Sequence, residues 1–152
     1  MRAYYVPLAA GAALAVSAFL PRIVHAGIGA GGVPSVSALW ILGLGCIAML
    51  LAALSVITRK NSRHPLLLVG LVALAVEFLG WQWLQRAVAK QAWANAQASA
   101  IISGGGPPAV GLTSPGSGFY VGIAASTIIV LFGLTIVVKK VARPYAAPED
   151  DV

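Results

Sequence analysis

Apolar residues are gathered along this chain in long, nearly uninterrupted runs, and four of them approach the length that crosses a bilayer: residues 4–20, 36–57, 66–88 and 119–138. A helix needs about 20 mainly apolar residues to cover ~30 Å of hydrocarbon. Each run is bounded by chain breakers or charge: Pro21 and Pro34, Arg59-Lys60 and Pro65, Pro115-Gly116, and Lys139-Lys140 followed by Pro144. Lipid offers the backbone no hydrogen-bonding partner, so isolated apolar runs must be helices rather than open strands. The pattern predicts an all-α polytopic membrane protein, a single domain over 1–152 with four transmembrane helices.

Basic residues orient these spans. One side carries Arg2, Arg59, Lys60, Arg63, Lys139, Lys140 and Arg143; the other carries Arg22, Arg86 and Lys90. Lys and Arg favour the cytoplasmic side, which places both termini and the turn at 58–65 inside, with the outer loops at 21–35 and 89–118. A competing reading takes Arg2, the run Leu8–Leu20 and Val24-His25-Ala26 as a secretory signal. Pro21-Arg22 beside the cleavage position and the single preceding charge weigh against it, so the first helix is expected to be retained. Trp40, Trp81, Trp83, Trp93, Phe119 and Tyr120 fall near the outer boundary, and Tyr4, Tyr5 and Tyr145 near the inner one. That is where amphipathic rings anchor a protein at the headgroup level.

Composition narrows the function classes. Only 14 of 152 residues are charged, 10 basic and 4 acidic, and the hydrophobic set makes up 59%. A soluble domain carries roughly 25% charge, so this chain cannot wet a globular surface. Water-soluble enzymes and disordered chains are excluded on that ground. The net charge of +6 does not indicate nucleic acid, because the basic residues flank apolar runs and form no patch.

The third run does not stop at its apolar limit. Residues 84–103 contain no helix breaker until Gly104-Gly105-Gly106-Pro107-Pro108, and Ala, Gln, Lys and Arg are good helix formers. The third helix is therefore expected to extend on the outer side. This segment, with apolar Leu84, Val88, Trp93 and Ile101 alternating with polar residues, is either a solvated helix end or a docking surface for a partner protein. The stretch 104–118 is rich in turn formers and is expected to be mobile unless a partner orders it. The outer glycines from Gly27 to Gly32 follow no strand and read as a flexible loop, not a dinucleotide fingerprint. The tail 144–152, ending Glu149-Asp150-Asp151-Val152, reads as disordered.

Glu77 is the one charged residue within a span, at the midpoint of 66–88. An acid at that depth costs a few kcal/mol and marks a functional site by default. It shares a helix face with Gly70, Ala73 and Gly80, and small residues let neighbouring backbones approach closely. Glu77 should therefore point into a helix contact. With no basic residue placed at its depth, the expected partners are Ser126 and Thr127 on the fourth helix, or Cys46 on the second. Three roles follow: hydrogen-bonded glue, a contact to another subunit, or a stop on a cation or proton path. Gly118, Gly122 and Ser126 form a further small-residue stripe, as do Gly45, Ala48, Ala52 and Ser55.

Recognisable catalytic chemistry is missing from the pattern. His25 and His64 fall on opposite sides of the bilayer, and Cys46 is the single cysteine, so no metal, haem or redox set is expected. No cofactor and no catalytic residue are assigned. In topology the chain resembles small uncharacterised bacterial four-helix integral membrane proteins, through the basic N-terminus, Leu20-Pro21, and the Pro115-Gly116-Ser117-Gly118-Phe119-Tyr120 approach to the last helix. That resemblance implies a bacterial inner-membrane location and carries no activity. The expected function is a non-catalytic accessory, scaffold or assembly subunit of a larger membrane complex, of the respiratory or photosynthetic kind. Its partners would be other integral membrane subunits and lipid. The alternative is a small transporter or channel-like protein using Glu77 for cation or proton binding.

Overall fold

The computed structural model describes residues 4–25, 27–58, 63–106 and 113–141. Four helices dominate: α1 (Tyr5–Ser17), α2 (Val36–Thr58), α3 (Arg63–Ser103) and α4 (Ser117–Val141). Three of them, α2, α3 and α4, are long and apolar enough to cross a membrane. With 13 residues, α1 extends about 20 Å. A tighter turn carries it to Leu20, where Phe19 N–H donates to Val16 O at 3.0 Å and Leu20 N–H to Ser17 O at 3.2 Å. Pro21 has no N–H to prolong the ladder, so this helix is shorter than the apolar run 4–20.

Local chemistry accounts for the other helix limits. The Ser35 hydroxyl accepts a hydrogen bond from the Ala38 amide at 3.4 Å and donates to Gly31 O at 3.0 Å, capping α2. Pro65 occupies the first turn of α3, where its missing N–H costs nothing. Gly104, at φ 65°, ends that helix in the left-handed conformation that glycine adopts without strain.

The helices close a four-membered ring, α1 on α2, α2 on α3, α3 on α4 and α4 back on α1. Small residues set the spacing. A Cβ on Gly45 would lie 2.6 Å from Ala15 N, one on Gly133 would lie 2.6 Å from Leu67 Cβ, and one on Gly70 would lie 2.8 Å from Val130 Cγ2. These pairings, with Gly122 against Glu77 farther along, also show that α3 and α4 run antiparallel. On α2 the buried positions Ala38, Ile41, Gly45, Ala48, Ala52 and Ser55 recur at alternating steps of three and four, the seam of left-handed helix packing. Leu14, Ile41, Leu66 and Ile129 fill the core between the seams.

One end of this bundle carries structure that an all-α reading does not contain. Strands β1 (Ile23–His25), β2 (Ile28–Ala30) and β3 (Thr113–Pro115) form an antiparallel sheet in the order β2-β1-β3. Ile23 pairs with Ala30 on one side and with Pro115 on the other. The connection from 27 to 32 is therefore not a flexible loop, and residues 113–118 are ordered by the chain itself rather than by a partner. The cause is proximity: both connections leave the same end of the bundle, and their backbone groups pair with each other. The basic residues Arg2, Arg59, Lys60 and Arg143, the tail 144–152 and the side chains of Lys139 and Lys140 lie outside the described residues.

Candidate functional site

The sheet exists in contact with the bundle, and Arg22 is the residue that joins them. Its N–H donates to Ala30 O at 2.9 Å, and its carbonyl accepts from Gly116 N–H at 2.8 Å. The next carbonyl back, Pro21 O, accepts from Gly118 N–H at 2.9 Å, so the free donors at the start of α4 are met by residues 21 and 22. Held on both flanks, the Arg22 backbone directs its side chain into the bundle. Its Nη2 donates to Glu77 Oε1 at 2.5 Å, with the two side chains 3% and 0% exposed.

Glycines make room for this ion pair. A Cβ on Gly122 would collide with the Glu77 carboxylate, and one on Gly116 with the Pro21 carbonyl oxygen. One on Gly80 would lie 3.1 Å from Ser37 Cβ and 3.9 Å from Arg22 Nη1. Arg22 Nε and Glu77 Oε2 have no hydrogen-bonding partner among the described residues. A charge pair so enclosed is costly to form but far costlier to break, because removing one member strands the other in an apolar surround.

This geometry corrects the partner assigned to Glu77. Ser126 is buried, but its hydroxyl donates to Gly122 O at 2.8 Å. Thr127 is half-buried and Cys46 is exposed. The partner is a cation from the same chain, from a segment that looked like an outer flank. The reason lies in depth. Gly122 faces Glu77, so Ser117 at the start of α4 lies level with about Gln82 of α3. Glu77 is thus about 8 Å from the sheet end of the bundle, not at its centre, because α3 outruns its neighbours.

The signal for Arg22 was present in the sequence. A buried carboxylate needs a counter-charge, and the flank next to it holds only Arg22, Arg86 and Lys90. Arg86 and Lys90 lie on α3 itself, about 14 and 20 Å farther along the helix, out of reach. Elimination leaves Arg22 once the packing of α4 on α3 shows that Glu77 lies near that flank.

The remaining singled-out residues separate into two groups. Gly70, Ala73, Gly118 and Gly122 are buried in helix contacts, and Gly80 is half-buried beside the ion pair. Trp81 is half-buried with its ring 5.0 Å from that of Phe119, which in turn lies 6.0 Å from Tyr120. Trp40, Trp83, Trp93 and Tyr120 are exposed. Beyond the bundle, residues 85–103 of α3 are exposed or half-buried except for Ala96. Trp93, Ile101 and Ile102 stand out there, 58%, 83% and 87% exposed. No group of three or more His, Cys, Asp or Glu positioned to hold a metal ion occurs among the described residues. No family model, curated protein or solved structure shows significant similarity to this chain.

Proposed function

We propose that the chain is a non-catalytic accessory or assembly subunit of a larger integral-membrane complex, with the projecting part of α3 as its docking arm. The observation that carries this reading is the apolar surface of that arm. From about residue 84, α3 continues for some 30 Å past the start of α4. Inside a bilayer, exposed Leu and Ile are solvated by lipid, but Trp93, Ile101 and Ile102 lie where water would meet them. A partner subunit lying along the arm would cover these side chains.

In this reading α1 completes a four-span bundle, and the basic residues hold both termini on the cytoplasmic side of a bacterial inner membrane. The sheet and the arm then face the outer compartment. The Arg22–Glu77 pair is the internal tie that fixes the sheet to the bundle and so sets where the arm begins. A transporter using Glu77 has less support, because that carboxylate is already engaged by Arg22 and enclosed by Gly122.

The test is extraction of native membranes in a mild detergent, followed by native mass determination of everything that carries this chain. A hetero-oligomer of stable composition is expected. Recovery of the chain alone, or solely as copies of itself, contradicts the proposal. Cation or proton flux into proteoliposomes that is lost in Glu77→Gln protein still folded by circular dichroism would instead establish the transporter.

A further inference from the structure

A second feature lies at the base of the docking arm, where α3 leaves the bundle. The α2–α3 contact is the least extensive of the four around the bundle. Toward the sheet end it opens into a groove of about 610 Å³, lined by Trp40, Val76, Leu79, Trp83 and Leu84, with Ser37 as a polar member. A volume in this range accommodates a substantial apolar ligand. Trp83 and Ala87 also belong to an adjoining hollow of about 260 Å³, whose other lining residues are Arg86 and Lys90. The order along α3 is therefore apolar, aromatic, then basic, over a few helical turns.

Charge decides what fits that order. Glu77, the one carboxylate among the described residues, is bonded to Arg22. Arg86 and Lys90, both exposed and one turn apart on a single face, have no acidic partner among those residues. An apolar groove that ends in two uncompensated cations matches an amphiphile with an acyl chain and an anionic headgroup. Lys and Arg side chains at the membrane surface each attract an anionic headgroup. We propose that this groove is a binding site for an anionic phospholipid, with an acyl chain between Trp40 and Trp83 and its phosphate between Arg86 and Lys90.

The two groove tryptophans supply the readout. The full-length chain carrying Trp81→Phe and Trp93→Phe, purified in detergent, retains Trp40 and Trp83 as its fluorophores. It is titrated with phosphatidylglycerol or phosphatidylcholine bearing the same brominated acyl chains, which quench tryptophan on contact. Phosphatidylglycerol should reach half-maximal quenching at about tenfold lower content, the scale set by two basic side chains meeting an anionic headgroup. Arg86→Gln with Lys90→Gln should erase that difference and leave the far-ultraviolet circular dichroism unchanged, and Lys90→Gln alone should reduce it. Equal quenching by the two lipids would mean ordinary lipid contact and overturn the site. So would an anionic preference that survives the double substitution, or negligible quenching by either lipid because another protein segment fills the groove.

Discussion

Replacing Glu77 with Gln is the sharpest perturbation of the tie between sheet and bundle. The substitution keeps the side chain's shape and removes its charge, leaving the Arg22 guanidinium 3% exposed with nothing to neutralise it. Arginine cannot discharge by losing a proton, so the penalty cannot be relieved by titration. Breaking a buried pair from one side costs about 3–5 kcal/mol, a large share of a typical folding free energy of roughly 5–15 kcal/mol. Arg22→Gln should cost less, because a stranded carboxylate can take up a proton. The double variant Arg22→Gln/Glu77→Gln replaces the pair with two amides that hydrogen-bond each other, and it should recover much of the loss. Unfolding of the full chain in mixed micelles, titrated with denaturing detergent and followed by circular dichroism, measures all four proteins. A coupling energy of about 2 kcal/mol or more between the two positions is expected, within the range for directly interacting residues. Additive effects, or a cost below about 1 kcal/mol for Glu77→Gln, the ceiling for an ordinary exposed pair, would refute the enclosed ion pair.

Other consequences separate more simply. Gly45→Ala must push α1 from α2, since its Cβ would lie 2.6 Å from Ala15 N, whereas Gly43 has nothing within 4 Å. In the same unfolding assay the first should cost about 1–3 kcal/mol and Gly43→Ala should be neutral or stabilising. Gly122→Ala should destabilise in the wild type, and less so with Glu77→Ala, because the collision it creates is with the Glu77 carboxylate. For the topology, single cysteines at residues 61 and 110 in a Cys46→Ser background should react with a membrane-impermeant thiol reagent from opposite sides of intact vesicles.

The helical framework was legible because long apolar runs and their breakers depend on local sequence alone. Residues 36–57 gave the second helix to within one position, and the uninterrupted formers after Leu84 correctly extended the third to Ser103. The sheet was not legible. Its strands are three residues each, and β3 reaches β1 across about 90 residues of intervening chain. Short polar or glycine-rich segments such as Ile28-Gly29-Ala30 carry no alternation strong enough to announce a strand. The same non-local geometry hid the partner of Glu77. Counting along the apolar run put that residue in mid-membrane, where neither basic flank could reach it. Only the packing of α4 against α3 reveals that the bundle ends near residue 82, which brings Glu77 within reach of the loop after α1.

A photo-crosslinking amino acid placed at Ile101 and irradiated in the native membrane reads out whether another membrane subunit lies against the exposed arm of α3. Ile101 is 83% exposed, so the substitution leaves the fold intact and its adducts report what lies against the arm. A discrete adduct with a second protein, absent when the same group is placed at Leu50 on the exposed side of α2, is the predicted result. Adducts with lipid alone, with further copies of this chain alone, or with nothing would rule out a docking arm for a second subunit.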